Sequence, residues 1–240
     1  SLSTLLDEYD VLAREAQVDR WAALLDVAPF PEDVADDVFT SPYYDHLEGA
    51  LARHEAAGHD VTAILTALAP SLTPGEDPTD PAAQLATSID QATTRLPEGR
   101  STRARRAAGL IATPAEPIPN DMRAALNERA ALIEAAAQQA LHHAINAGED
   151  WTAHIGRPSA NLRARNAWLT AATTIALYRH RYDIIGPAPL GNPKDITRAQ
   201  QSDEYRAASA ALRRAQSAAE RSAQPIPRRD AQRVDQSRRL

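Results

Sequence analysis

The spacing nearest to a catalytic one is His54-Glu55-Ala56-Ala57-Gly58-His59. A helix-borne zinc site needs two histidines four apart on one face, with the glutamate as general base. Here they are five apart, which turns the second imidazole roughly 140° around a helix of 3.6 residues per turn. Gly58 is also expected to end the helix. His142 and His143 are adjacent, and neighbours on a helix do not face one another; one is expected partly buried and the other exposed. His180, among Arg179, Arg181 and Tyr182, is within reach of a phosphate, although exposed helix surface is its default role. The acid pairs Asp36-Asp37 and Glu149-Asp150 stand where helix capping explains them. No nucleophile elbow, phosphate-binding loop or dinucleotide-binding turn is present. The chain lacks cysteine, which removes disulfides and thiolate metal sites. No catalytic residue, metal ligand or cofactor is therefore expected, and the chain does not read as an enzyme.

Arginine is the remaining chemical resource. Of 26 basic residues only Lys194 is lysine. Arg100, Arg103, Arg105 and Arg106 cluster, and Arg157, Arg163, Arg165, Arg179 and Arg181 follow. Arginines displace counterions from phosphates, so these nine form a candidate nucleic-acid-binding set. Trp151 and Trp168 would stack on unpaired bases if exposed, but their helical spacing favours burial. The net charge of -6 hides a division: residues 1–100 hold 19 acidic and 5 basic residues, net -14, while 101–240 hold 13 and 21, net +8. Such asymmetry suits either two surfaces with different partners or two regions that attract each other.

The elements that must position these groups are helical. Alanine is abundant and aromatics are 5% of the chain, which favours closely packed helices over strands. Leu5, Tyr9, Leu12 and Ala16 recur at helical spacing, and Trp21, Leu24 and Leu25 continue after a break. A short helix is expected over 32–39. Ser41-Pro42 opens another, with Tyr44, Leu47, Leu51 and His54 on one face. Asp60 caps a helix carrying Val61, Ile64, Leu65 and Leu68, and Leu85, Ile89, Ala92 and Leu96 mark the next. A long helix runs from Asn120 or Asp121 to about Ala147, its buried face drawn by Met122, Leu126, Ile133, Ala137, Leu141 and Ile145. A short turn at Trp151 follows, then a helix capped by Ser159 and reaching Tyr182, then a last one over 197–223 whose apolar face is mostly alanine. The expected fold is all-α. It comprises an acidic helical subdomain (1–98), a Pro/Gly/Arg-rich linker (99–119) whose middle could pack locally, a basic helical subdomain (120–223), and a disordered basic tail (224–240).

Residues 151–191 carry a further signal. Trp151, Gly156, Pro158, Arg163, Trp168, Tyr178-Arg179-His180-Arg181-Tyr182 and Pro189-Leu190-Gly191 resemble the far C-terminal region of actinobacterial MobF-type conjugative relaxases, the TraA/TrwC-like relaxase-helicases. Leu47 and Leu51, then Gly58-His59-Asp60 and Asp80-Pro81-Ala82-Ala83 with Leu85, are similar to patterns that follow the helicase part in that family. The resemblance spans roughly 41–191 and rests on packing and turn residues. It implies a longer parent that nicks and unwinds plasmid DNA, consistent with a chain that begins at Ser1 inside a helical pattern. Neither the nicking histidine triad nor the phosphate loop is here, and Tyr43-Tyr44 near His46 do not replace them. What the resemblance implies for this chain is recruitment: to a coupling protein, other relaxosome proteins or a type IV secretion channel. Arg228, Arg229, Arg233, Arg238 and Arg239 resemble the arginine-rich recruitment tails of secretion substrates. The alternative is a single-stranded-DNA-binding module of the same machinery. No segment approaches the roughly 20 apolar residues that span a bilayer, and a cytoplasmic location is expected.

Overall fold

A computed structural model of the chain describes residues 1–56, 58–72, 80–94, 104–196 and 199–223. These residues are helical apart from one pair of two-residue strands. The helices are α1 (Leu2–Glu15), α2 (Val18–Asp26), α3 (Glu32–Phe39), α4 (Tyr44–Ala56), α5 (Val61–Leu68), α6 (Pro81–Thr94), α7 (Asn120–Ala147), α8 (Asp150–His154), α9 (Leu162–Arg181) and α10 (Ala199–Ala223). Strands β1 (Arg105–Arg106) and β2 (Ile111–Ala112) pair antiparallel between α6 and α7.

Local chemistry explains most of the boundaries. The Asp60 carboxylate accepts from the Ala63 N–H at 3.0 Å and starts α5, satisfying one of the donors a helix start leaves unpaired. Gly148, at φ +68°, closes α7 in the left-handed conformation that glycine takes without strain. The expected cap of α9 is displaced by two residues. Asn161 accepts from the Ala164 N–H at 3.1 Å, while the Ser159 hydroxyl accepts from the Asn161 N–H at 3.0 Å and shapes the approach.

Two buried apolar clusters organise these helices. The first joins Trp21 and Leu25 of α2, Val34 and Val38 of α3, Leu47 and Leu51 of α4, Val61 and Leu65 of α5, and Leu85 and Ile89 of α6. The second is built from α1, the β1–β2 segment, α7, α8, α9 and α10. Helix α9 is its axis, with every residue from Ala171 to Arg179 buried. A helix buried all round needs neighbours on every side. Helix α10 approaches it most closely, through Ala208, Ala211, Ala215 and Ala218, none of which is exposed. The alanine face thus packs tightly.

The packing divides the chain differently from the expectation. Leu2, Leu6, Tyr9 and Ala16 belong to the second cluster, so α1 crosses over to α7 and α9, and the cores part between Ala16 and Trp21 rather than at residue 98. The described part of the expected linker is also core: Ala107, Ala108, Leu110, Ile111 and Ile118 are buried. Ala107 and Ala108 sit at φ 48° and 56°, a region alanine rarely adopts. Two anchors hold them there. The Glu134 carboxylate accepts from the Ala108 N–H at 3.1 Å, and the Thr174 hydroxyl donates to the Ala108 carbonyl. One apolar residue expected on the buried face of α7 is outside: Ile145 is 38% exposed. The expected disordered tail lies outside the described residues.

The contact of the α8–α9 loop with α10 gives a test of this packing. Gly156 has φ +76°, and a Cβ there would stand 2.6 Å from the Ala219 Cβ. Gly148 has a similar φ, +68°, but open space around it. Gly156→Ala is expected to cost about 2–3 kcal/mol, strain plus a forced shift of α10, and Gly148→Ala about 1 kcal/mol from strain alone. Urea midpoints of the two variants check the order.

Candidate functional site

The two cores meet along a cleft of about 420 Å³ walled by α1, α4, the β1–β2 segment and the start of α10. Its apolar lining comes from Ala13, Trp21, Ala52, Ile111, Ala112 and Pro114, and its polar lining includes Tyr9, Asp10, Arg14, Glu48, Arg53, Glu55, Gln200, Asp203 and Glu204. A pocket of this size falls in the range of ligand sites, and its lining mixes apolar side chains with many polar ones.

Most of its charges are already satisfied. The Arg181 guanidinium bridges α1, α9 and α10: it donates to both oxygens of Asp10 at 3.0 and 2.9 Å and pairs with Glu204 at 3.0 Å. Glu204 also accepts from the Tyr182 hydroxyl at 2.9 Å and from Gln200 at 3.2 Å. Burial alone would lower the Arg181 pKa, but the Glu204 and Asp10 carboxylates outweigh it and hold the guanidinium firmly charged. Burial pushes Glu204 up, and Arg181 and the Tyr182 hydroxyl pull it back. Asp203 accepts from Arg105 at 2.8 Å and from Arg206 at 3.3 Å, and Arg20 pairs with Glu55.

Two groups are different. The Tyr9 hydroxyl is buried without a hydrogen-bond partner, as is Oε1 of Glu48. Burial pushes Tyr9 up to about 12. Glu48 is held above the ordinary carboxylate range by burial first and the neighbouring Asp45 second, against the pull of Arg14.

The arginines proposed from sequence scatter over several environments. Arg179 is buried and donates to the carbonyls of Ala188 at 2.7 Å and Gly186 at 3.0 Å, its guanidinium 4.9 Å from the Trp151 ring centre. It clamps the proline-rich loop after α9 and does not reach the surface; burial lowers its pKa. Arg181 is the internal bridge already described. Arg105 is committed to Asp203 and to the Leu110 carbonyl at 2.7 Å. Arg106 is half-buried, with its charge felt at Tyr9. Only Arg157, Arg163 and Arg165 of the described set are exposed. Arg100, Arg103, Arg228, Arg229, Arg233, Arg238 and Arg239 lie outside the described residues. Trp151 and Trp168 are 3% exposed, their indole N–H groups donating to Glu149 at 2.6 Å and to the Ile155 carbonyl at 3.1 Å. They are core.

The histidines resolve similarly. His54 is buried against Asp90 at 2.5 Å, with the His59 ring centre 5.8 Å away. His142 and His143 are both exposed, contrary to the expected half-burial of one. Ser3 and His180 are hydrogen-bonded at 3.1 Å beside a second, polar pocket of about 300 Å³ that also touches Asp10 and Arg181. Among the described residues no group of three or more His, Asp or Glu is placed to hold a metal ion, and no helix is long and apolar enough to cross a membrane.

Sequence reasoning passed over Asp10, Glu48, Asp203 and Glu204, and placed Tyr9 only on an apolar helix face. One of them had left a signal. Glu204 falls on the same face as Ala208, Ala211, Ala215 and Ala218, so the alanine stripe that buries α10 also carries this carboxylate inward.

The chain is thus an all-helical protein with a cleft between two cores. No protein-family model, curated protein or solved structure matches it.

Breaking a buried pair strands the partner charge, which typically costs 3–5 kcal/mol. Arg181→Leu is therefore expected to destabilise by about 3 kcal/mol, and the exposed Arg157→Leu by less than about 0.5 kcal/mol. In Arg181→Leu/Glu204→Gln much of the loss should return, which a denaturant double-mutant cycle reads.

Glu48 gives a pH test. A carboxyl whose folded-state pKa is raised opposes folding once ionised, so its penalty grows as pH rises through the carboxylate range. Glu48→Gln should raise the thermal midpoint at pH 7, with the gain shrinking towards about pH 4, where both states hold the proton. An equal gain at both pH values contradicts the assignment.

Proposed function

We propose that the chain is a non-catalytic protein-recruitment module, the C-terminal accessory part of an actinobacterial MobF-type conjugative relaxase-helicase. In this reading it works in the cytoplasm and docks its parent onto a coupling protein, relaxosome proteins or a type IV secretion channel. Two small helical bundles, one acidic and one basic, would be its working bodies.

The observation that carries the reading is the surface of the first core. Glu32, Asp33, Asp36 and Asp37 of α3 are all exposed, as are Asp19, Asp26 and Asp45 around it. Val27, Phe39 and Tyr43 are uncovered on the same stretch of chain, at 75%, 38% and 52% exposure. Acidic groups interspersed with uncovered large apolar side chains suit a basic protein partner: charge steers the encounter and apolar contact holds it. Single-stranded DNA binding, the alternative, has less support. Arg179 and Arg181 are used internally, leaving Arg157, Arg163 and Arg165 as the exposed residues among the described candidates.

The test is capture of the coupling ATPase of the same transfer system by the immobilised chain. Reversing Asp33, Asp36 and Asp37 to arginine should weaken capture by about tenfold or more, with the helical circular dichroism unchanged. Full capture both by this variant and by a chain lacking 225–240 would sink the proposal. Salt-sensitive binding of an oligonucleotide that is lost on replacing Arg157, Arg163 and Arg165 would favour the alternative.

A further inference from the structure

We propose that the cleft between the two cores is a binding site for an ammonium or guanidinium group carried on an apolar stem. This stands apart from the recruitment reading, which concerns the outer face of α3.

The argument begins with what the cleft leaves unpaired. Tyr9 is 1% exposed, yet its hydroxyl has no partner, and Oε1 of Glu48 is in the same condition. Buried polar atoms are nearly always paired, because an unmade hydrogen bond costs more than a made one returns. Packing does not require either atom. Phenylalanine would fill the Tyr9 volume and an apolar side chain of similar length, such as methionine, the Glu48 volume. Both residues line the same cleft.

The chemistry of the two atoms selects the occupant. A carboxylate oxygen only accepts, and a phenol hydroxyl accepts as well as donates. The missing partner must therefore donate. Asp45 adds a second negative charge to the field at Glu48, which favours a cation over a neutral donor and disfavours an anion. The other carboxylates of the lining do not compete: Asp10 and Glu204 are held by Arg181, Asp203 by Arg105 and Arg206, and Glu55 by Arg20. The apolar lining of Ala13, Trp21, Ala52, Ile111, Ala112 and Pro114 suits the stem. Arg14 stands at the cleft as an exposed side chain, its Nε 3.5 Å from the Asp10 carbonyl of its own helix and its charge felt at Glu48. Swinging it outwards admits a ligand cation to the acceptors.

The same group can come from a free amine or from the arginine or lysine side chain of a bound peptide. Three probes separate these sources and test the charge: N-acetyl-arginine methylamide, its neutral citrulline counterpart, and a capped alanine peptide with one central arginine. Binding to the full chain is followed by the amide NMR shifts of Gly49, Ala52 and Thr113, which line the cleft. The arginine probe should saturate these shifts and the citrulline probe should bind about tenfold more weakly. Glu48→Gln should remove that preference. Tyr9→Phe should weaken the arginine probe several-fold while keeping or raising the thermal midpoint of the free protein, as loss of an unpaired buried hydroxyl does. A purely structural Tyr9 would lower that midpoint and leave binding alone. Tighter binding of the peptide than of the free probe assigns the group to a macromolecular partner, and equal binding to a small molecule; both support the site. No saturable shift with any probe, or shifts unaltered in both variants, overturns it.

Discussion

One buried guanidinium organises the half of the molecule that contains the longest helices. Arg181 leaves the end of α9 and takes a carboxylate from α1 on one side and from α10 on the other. Arg181 and Glu204 would each be costly to bury alone, and together they are tolerable because Tyr182 and Gln200 complete the hydrogen bonding of Glu204. The pairing has a topological effect. It ties α1 to α9 and α10, so α1 joins a core whose other members begin at Ala107. The cleft exists because of that crossing. Its α1 wall is fixed to the second core, while its α4 wall belongs to the first.

What was legible in the sequence was local. The helix at Glu32–Phe39, the Asp60 cap and the run from Asn120 to Gly148 follow from periodicity and end chemistry, because these are decided within a few residues. Which core a helix joins is not decided there. Leu5, Tyr9, Leu12 and Ala16 mark an apolar face equally well against α2 or α7, and the face that is buried, through Leu2, Leu6 and Tyr9, is turned slightly from it. The segment 104–119 was harder still. Its prolines and arginines look like a linker, yet it is locked down by Glu134 and Thr174 from helices far along the chain. The same limit applies to the site. A basic run at a helix end reads as surface, and only the positions of Asp10, Glu204 and the carbonyls of the loop after α9 turn Arg179 and Arg181 inward.

An arginine-rich chain of this kind therefore divides its arginines between two uses. Those with a planar fork of acceptors around them hold elements together, as Arg105, Arg179 and Arg181 do. Those without, such as Arg157, Arg163 and Arg165, face solvent. Counting basic residues overstates the charge available to a polyanion. The acids of α3, by contrast, are all outward, and the electrostatic character of the first core is carried by its surface.

The alanine seam between α9 and α10 has a mechanical consequence. Small side chains on facing helices leave little room for sliding or rotation, so α10 moves with α9 as one stiff jaw that bears Asp203 and Glu204. The opposite jaw, α4, touches α10 only sparsely. The cleft lies between them, with Glu48 on the α4 side and Glu204, held by Arg181, on the α10 side.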